Sequence, residues 1–331
     1  MMTLEPSYQE QLQQALDFMK RADQFLVVSH VQPDGDAISA QLTIGWLLSK
    51  LGKSAIFMNE SELPSRLQFL HQFEQIERYS NEENDVKYGN VITVDCADFK
   101  RIGAVSNLFA EQVNILNIDH HPTNNGFGQV NVIRADAAAT VEVLYDLIAL
   151  AGFSLDLNCA TAIYTGLLTD TGGFRYSNTS AKVMQIVSHL LHLGVNGSQI
   201  SDLLLEKMTM AKLQLLRLSL SRLTFDDKQQ IGWVYILQTD MESTGAVSED
   251  VEGIVNYALN VDGVQVGILF KEAEDGSIKA SIRSAGLVDV AHIAQQFGGG
   301  GHKRAAGCRL EGDLNKAMNE LLVEVRKAVV N

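Results

Sequence analysis

Three cysteines in 331 residues, Cys96, Cys159 and Cys308, are too few and too far apart for a disulfide framework, and no C-x-x-C pair offers a zinc-thiolate site. They read as small buried hydrophobes. Long hydrophobic runs are missing too. No uninterrupted apolar stretch approaches membrane-spanning length, and Met1 to Arg21 is polar with scattered apolar residues, unlike the continuous core of a signal peptide. A cytoplasmic protein with no membrane partner is expected. Positive charge is also scarce: a formal net charge of −14 disfavours long nucleic acid, because phosphate binding needs a positive footprint. Short or mononucleotide phosphates stay within reach if a local basic patch or bound metal ions supply the attraction. What is present, 46% hydrophobic and 20% charged residues, is an ordinary soluble composition, and the length suits two domains.

The organising stretch is Asn117-Ile118-Asp119-His120-His121-Pro122, which follows the apolar run Val113 to Ile118. Neighbouring side chains on an extended strand point to opposite sides, so one His as a metal ligand and the other aimed at a substrate is the economical reading. Two earlier apolar runs end in the same kind of residue. Phe25 to Ser29 leads into His30-Val31-Gln32-Pro33-Asp34-Gly35-Asp36, and Val91 to Val94 stops at Asp95. In an open α/β sheet the carboxyl ends of parallel strands lie along one edge, where ligands bind. His30, Asp95 and His120 are therefore expected to converge. Gly35 is expected to permit a tight backbone so that Asp34 and Asp36 diverge toward separate targets. An apolar helix, Asn158 to Leu168, then leads into Thr169-Asp170-Thr171-Gly172-Gly173-Phe174, where Asp170 is a candidate last ligand. Two His and four Asp suit a hard-to-borderline ion such as Mn²⁺ better than zinc. A pair of such ions is the usual arrangement for phosphoester hydrolysis, generating hydroxide and stabilising the charge of an in-line displacement.

Further helices are expected over Gln9 to Arg21, Ala37 to about Leu51, Ala135 to Ala151 and Ser180 to Leu193, with a long one from Gln199 to about Leu223. The apolar helices between Ala135 and Leu193 could form a homodimer face. After Asp226 to Gln230 the pattern changes to short β runs, Ile231 to Leu237, Val264 to Lys271 and Ile278 to Ser284, with a helix from Val251 to Leu259. This part ends in Phe297-Gly298-Gly299-Gly300-Gly301-His302-Lys303-Arg304-Ala305-Ala306-Gly307. Consecutive glycines let backbone N–H groups approach an anion, and His-Lys-Arg adds positive charge. Five Lys or Arg and one Asp between Lys279 and Arg309 make a net +4 inside a chain of net −14, enough to attract a small phosphate ligand.

Taken together, Val28-Ser29-His30 through Asp36, Val94-Asp95-Cys96-Ala97-Asp98, Asp119-His120-His121 and Leu168 to Phe174 resemble the four motifs of the DHH phosphoesterase superfamily. The segment Ile282-Arg283-Ser284-Ala285-Gly286 with Gly298 to Gly307 resembles the domain associated with it. The resemblance implies an α/β fold with a parallel-sheet catalytic domain (1–195), a helical linker (196–228) and a smaller mixed α/β substrate-binding domain (229–331), with the active site in the cleft between domains. It implies two divalent ions, Mn²⁺ by preference. His30, Asp34 and Asp95 would hold one and Asp36, Asp95, His120 and Asp170 the other, so that Asp95 bridges. Asp119, not itself a ligand, would orient His120, and His121 would contact the scissile phosphate. Arg283, Ser284, Gly300, Gly301 and His302 would bind the substrate. Length and spacing are most similar to the branch that cleaves short oligoribonucleotides to 5′-mononucleotides and 3′-phosphoadenosine 5′-phosphate (pAp) to AMP. The rival readings are a phosphodiesterase acting mainly on cyclic di-AMP or linear pApA, a pyrophosphatase of related type, and a nucleotide-binding regulator without hydrolysis. The chain departs from its relatives at Ser39-Ala40, where Gly-Ser is frequent, and at Ala291, where Asn is common. Neither is a ligand position.

Overall fold

A computed structural model describes residues 6–80 and 86–329. The start of the stretch read above as lacking a leader, residues 1–5, lies outside them. The chain forms two compact units, Met1–Lys207 and Met208–Asn331.

The first unit opens with helix α1 (Pro6–Arg21) and strand β1 (Phe25–Val28), followed by α2 (Gly35–Lys50), β2 (Ala55–Asn59), β3 (Ile76–Arg78), β4 (Tyr88–Val94), β5 (Phe109–Asp119) and β6 (Val130–Ile133). The six strands are all parallel, in the order β3-β2-β1-β4-β5-β6. Parallel strands buried on both faces read as continuous apolar runs, which is why Phe-Leu-Val-Val of β1 is buried throughout. Its residues nonetheless alternate between faces. Phe25 and Val27 join the larger core, which contains α1, α2 and the helices α3 (Thr140–Ala151), α4 (Leu157–Asp170) and α5 (Ala181–His192), whereas Leu26 and Val28 join a smaller core with Ile102, Val105 and Leu108.

The long helix expected from Gln199 to Leu223 is broken. A short α6 (Gly197–Ser201) runs into a π turn at Asp202–Glu206, the backbone extends at Lys207, and α7 (Met210–Leu220) starts afresh. Thr209 is the cause: its hydroxyl oxygen accepts the Lys212 N–H as an N-cap while the O–H donates to Asp250.

The second unit continues with β7 (Thr224–Phe225), β8 (Ile231–Ile236), α8 (Gln238–Thr244), α9 (Ile254–Leu259), β9 (Val266–Glu272), β10 (Ile278–Ser284), α10 (Val290–Gln296), β11 (Gly300–His302), β12 (Ala305–Leu310) and α11 (Leu314–Ala328). Its sheet runs β11-β12-β10-β9-β8-β7, parallel only between β8 and β9. One face packs on α10 and α11 through Ile268, Phe270, Ile282, Ala306 and Leu321. On the other face, Val234, Ile236 and Leu269 pack with residues of α7 and α9. Among the described residues no helix is long and apolar enough to cross a membrane.

Candidate metal centre

The strand order of the first sheet reverses between β1 and β4, and the crevice outside the carboxyl ends at such a switch point is where open α/β sheets bind ligands. His30 follows β1, Asp95 follows β4, and Asp119 ends β5 with His120 next. The adjacency of those three strands brings the residues together. Asp95 adopts φ 54°, a left-handed conformation that Asp tolerates better than most side chains, and its N–H donates to the Ile118 carbonyl at 3.0 Å.

Six of the expected residues gather in two groups. His30, Asp34 and Asp95 offer donor atoms all within 4.8 Å of one another, and so do Asp36, His120 and Asp170. Asp95 faces both. Its Oδ2 lies 3.4 Å from His30 Nε2 and its Oδ1 3.6 Å from His120 Nε2, while His120 Nε2 is 3.2 Å from Asp170 Oδ2. Asp34 lies farther out, its Oδ2 4.0 Å from His30 Nε2, because its Oδ1 caps α2 by accepting the N–H groups of Asp36 and Ala37. Asp34 and Asp36 diverge into separate groups on either side of Gly35, as expected, and the glycine has a second purpose. A Cβ there would sit 2.5 Å from the Thr169 side chain, so the glycine lets α2 lie against α4.

The chemistry of this donor set fits divalent cations. His30 Nδ1–H donates to the Val31 carbonyl at 2.8 Å and His120 Nδ1–H to the Ala137 carbonyl at 3.2 Å. Each neutral ring has thereby used its one N–H, and Nε2 turns a lone pair toward carboxylate oxygens. Only a second proton or a cation makes that arrangement favourable. Without a cation, burial opposes the imidazolium of both rings, but the hydrogen bond of Asp95 to His30 and of Asp170 to His120, with the charges of neighbouring acids, outweighs it, and both pKa values rise. Burial, then the charges of Asp95 and Asp170, pushes Asp36 well above the carboxylate range, and burial lifts Asp170 to about 6 against the pull of His120. Asp95 is held far down: burial works against its ionisation, but His30, His121 and His120 surround it.

Several side chains that sequence reasoning passed over hold these groups in place. The N-cap residue of α3 is Ala139, which has nothing to cap with. Asp36 does so from 104 residues away, its Oδ2 accepting the Thr140 N–H at 2.6 Å and its Oδ1 that of Val141 at 3.2 Å. This is why the helix expected from Ala135 begins at Thr140. The Thr140 hydroxyl donates to Asp95 Oδ1 at 3.0 Å, and Asn178 Nδ2 donates to the carbonyls of both Ala138 and Asp170. Asp119 does not orient His120 as expected. It accepts the His121 Nδ1–H at 2.8 Å and is itself gripped by Asn124 Nδ2 at 2.6 Å, while His120 is oriented by Ala137. Burial opposes the His121 imidazolium, but the Asp119 hydrogen bond and the Asp95 charge overcome it and raise the pKa.

The glycine stretch of the second unit is a hairpin rather than an open anion loop. Gly300 to His302 pair with Ala305 to Gly307, and the N–H groups of Gly298 and Gly299 donate to the Gln295 and Ala294 carbonyls. Its glycines serve close packing: a Cβ on Gly299 would lie 2.2 Å from the Gly307 oxygen, and one on Gly301 2.5 Å from the Ala305 oxygen. Arg283 and His302 both pair with Ala305, so the two side chains stand on the same sheet face with one methyl between them. Ser284 is turned the other way, buried, with its hydroxyl oxygen accepting the Gly286 N–H.

A doubly wound parallel sheet with a carboxylate and imidazole centre at its switch point defines the class: a metal-dependent hydrolase. Residues 24–167 match the DHH family, N-terminal domain, and residues 234–331 the DHHA1 domain. The chain is 34% identical to the bifunctional oligoribonuclease and PAP phosphatase NrnA of Thermus thermophilus over 98% of its own length and 96% of that protein, and 27% identical to the Bacillus subtilis protein of the same name over 87% and 90%. Among solved structures it superposes with a TM-score of 0.88 on an exopolyphosphatase-related protein from Bacteroides fragilis, at 26% identity over 96% of each chain. This chain belongs to the DHH family, whose members are phosphoesterases.

Proposed function

We propose that this enzyme cleaves short oligoribonucleotides to 5′-mononucleotides and converts pAp to AMP in the cytoplasm. The substrates take their support from the relatives named above. The phosphoester chemistry takes its support from one observation, Asp95, which turns one oxygen to His30 and the other to His120. In this reading His30, Asp34 and Asp95 hold one divalent ion and Asp36, Asp95, His120 and Asp170 the second, with Mn²⁺ preferred by so oxygen-rich a set. When bound, the ions would supply hydroxide at neutral pH and offset the negative charge that develops on the phosphoryl and leaving-group oxygens. Asp95 fixes the spacing of the two sites. His121, its Nδ1–H anchored on Asp119, contacts the scissile phosphate through Nε2. Arg283 and His302, side by side on their sheet face, take the remainder of the substrate, with the Gly300 backbone beside them. The three cysteines are all free and buried, in keeping with a reducing compartment.

The deciding experiment is side-by-side turnover of pAp, pApA, a ribo-tetranucleotide, cyclic di-AMP and pyrophosphate with Mn²⁺. Release of AMP from pAp and of 5′-mononucleotides from the tetranucleotide supports the reading. Consumption of cyclic di-AMP or pyrophosphate alone sinks it.

A further inference from the structure

The sheet face that carries Arg283 and His302 has a second row of cations four residues away. Lys279 of β10 is paired directly with Lys271 of β9 on one side and with Arg309 of β12 on the other. Strand alternation puts these three side chains on the same face as Ser281, Arg283, Ala305, Gly307, Gly300 and His302. Like charges directly opposite on neighbouring strands destabilise a sheet, and this chain, with net charge −14, has acids to spare. Yet among the described residues neither the Lys271 nor the Lys279 side chain has a hydrogen bond or an ion pair, and only Arg309 is answered, by Asp275 and Ser277 in the neighbouring turn. Burial and the nearby Lys279 charge depress the pKa of half-buried Lys271, with Glu274 pulling the other way.

Between the two cationic rows the β10, β12 and β11 part of the face is floored by small groups, Ser281, Gly307 and Gly300, all partly or fully accessible, while Leu269 on β9 is buried beside Ser281. The rows are about 13 Å apart, four residues at the strand rise of about 3.3 Å. That is farther than the two phosphates of a single mononucleotide can reach, and within reach of phosphates on separate nucleotides of a short strand. We infer that Lys271, Lys279 and Arg309 form a distal phosphate subsite, which engages a downstream backbone phosphate of an oligonucleotide whose near end lies at Arg283 and His302. The subsite makes affinity grow with length beyond the dinucleotide and leaves pAp untouched. The local positive charge also lets a strongly acidic protein hold a short polyanion. The inference deepens the oligoribonuclease reading and rests on it.

The test compares wild type, Lys279→Ala and Lys279→Arg on pAp and on a ribo-tetranucleotide with Mn²⁺, over a range of salt. In Lys279→Ala, KM for the tetranucleotide rises roughly tenfold, the equivalent of one charge-assisted contact, and the slope of log KM against log salt falls by about 0.7 for the one phosphate contact removed. Both pAp parameters stay at wild-type values, which also shows that the variant is folded. Lys279→Arg restores the tetranucleotide KM. An unchanged KM and salt slope for the tetranucleotide, or equal weakening for both substrates, overturns the subsite. Failure of wild type on both substrates would instead overturn the oligoribonuclease reading.

Discussion

In the first unit Asp36, Asp95, Asp119 and His120 are buried, and each is held by a specific partner: Asp36 and Asp95 by the start of α3 and the Thr140 hydroxyl, far away in the chain, and Asp119 and His120 by Asn124 and the Ala137 carbonyl, in the segment that follows β5. In the second unit Lys279, Arg283 and His302 stand on a sheet face that is only partly covered, placed by strand register alone. The two regions distribute their costs differently. Gathering buried carboxylates is expensive unless something neutralises them, so the first site needs cations and a scaffold of hydrogen bonds that does not move. Surface cations cost little and can yield to ligands of different length. In the function proposed above, chemistry takes the first kind of place and recognition the second.

The comparison breaks most sharply at Asp95. If one carboxylate serves both halves of the centre, Asp95→Ala removes two bound Mn²⁺ per chain and abolishes turnover of every substrate, whereas no single change on the second unit's face affects metal content. Metal analysis of the purified variant and pAp turnover measure this. One ion retained, or turnover within tenfold of wild type, would show that the two halves do not share Asp95.

Much of this centre is legible in the sequence because each ligand follows an apolar strand or helix that is itself easy to see: Phe25 to Val28 before His30, Val91 to Val94 before Asp95, Ile115 to Ile118 before Asp119 and His120. The parallel sheet follows from the same runs. What holds the ligands is not legible. Thr140 and Asn178 carry no motif: Thr140 gives its N–H to Asp36, which caps α3 from across the fold because Ala139 cannot, and its hydroxyl to Asp95, while Asn178 ties the Ala138 and Asp170 carbonyls together. Asp119 sits beside His120 in sequence, yet the strand alternation that separates adjacent side chains gives it to His121. The hairpin at Gly300 reads as a loop because four glycines hide the period of a strand, and its pairing partner supplies the only signal.

A smaller effect separates the regions by pH. In the metal-free protein His30 and His120 have raised pKa values, so the stability they contribute is complete below the ordinary histidine value near 6.5 and is lost as pH rises through their folded values. Asp170, at about 6, and Asp36 act in the same direction, since the fold keeps protons that the unfolded chain has released above about pH 4. Asp95 acts oppositely, but only below the ordinary carboxylate range. Between pH 6 and 8 the metal-free protein therefore loses stability as pH rises, and a divalent ion bound in the cluster, which competes with those protons, stabilises it more. Saturation at about 100 times the dissociation constant adds about 2.7 kcal/mol per site. Thermal melts with Mn²⁺ and with chelator should differ more at pH 8 than at pH 6. An equal difference at both values would mean that the ion does not displace protons from this cluster.

The smallest effect tests what the glycines of the second unit do. Gly301 has φ 140°, and a Cβ there would lie 2.5 Å from the Ala305 oxygen and 2.7 Å from the Ala306 Cα. Gly301→Ala must force the hairpin apart or leave it strained, at a cost of about 1–3 kcal/mol, which appears as a lower unfolding temperature. Gly300 is exposed, and a Cβ there would meet nothing within 4 Å. Gly300→Ala therefore leaves the unfolding temperature at the wild-type value, and any effect it has reports on substrate alone. If a phosphate approaches the backbone beside His302, the added methyl raises KM for the tetranucleotide a fewfold while metal content and kcat stay constant, a loss on the order of 1 kcal/mol. A Gly300→Ala enzyme with unchanged KM would remove the Gly300 backbone from the substrate site and leave substrate contact to the side chains of Arg283, His302 and Lys279.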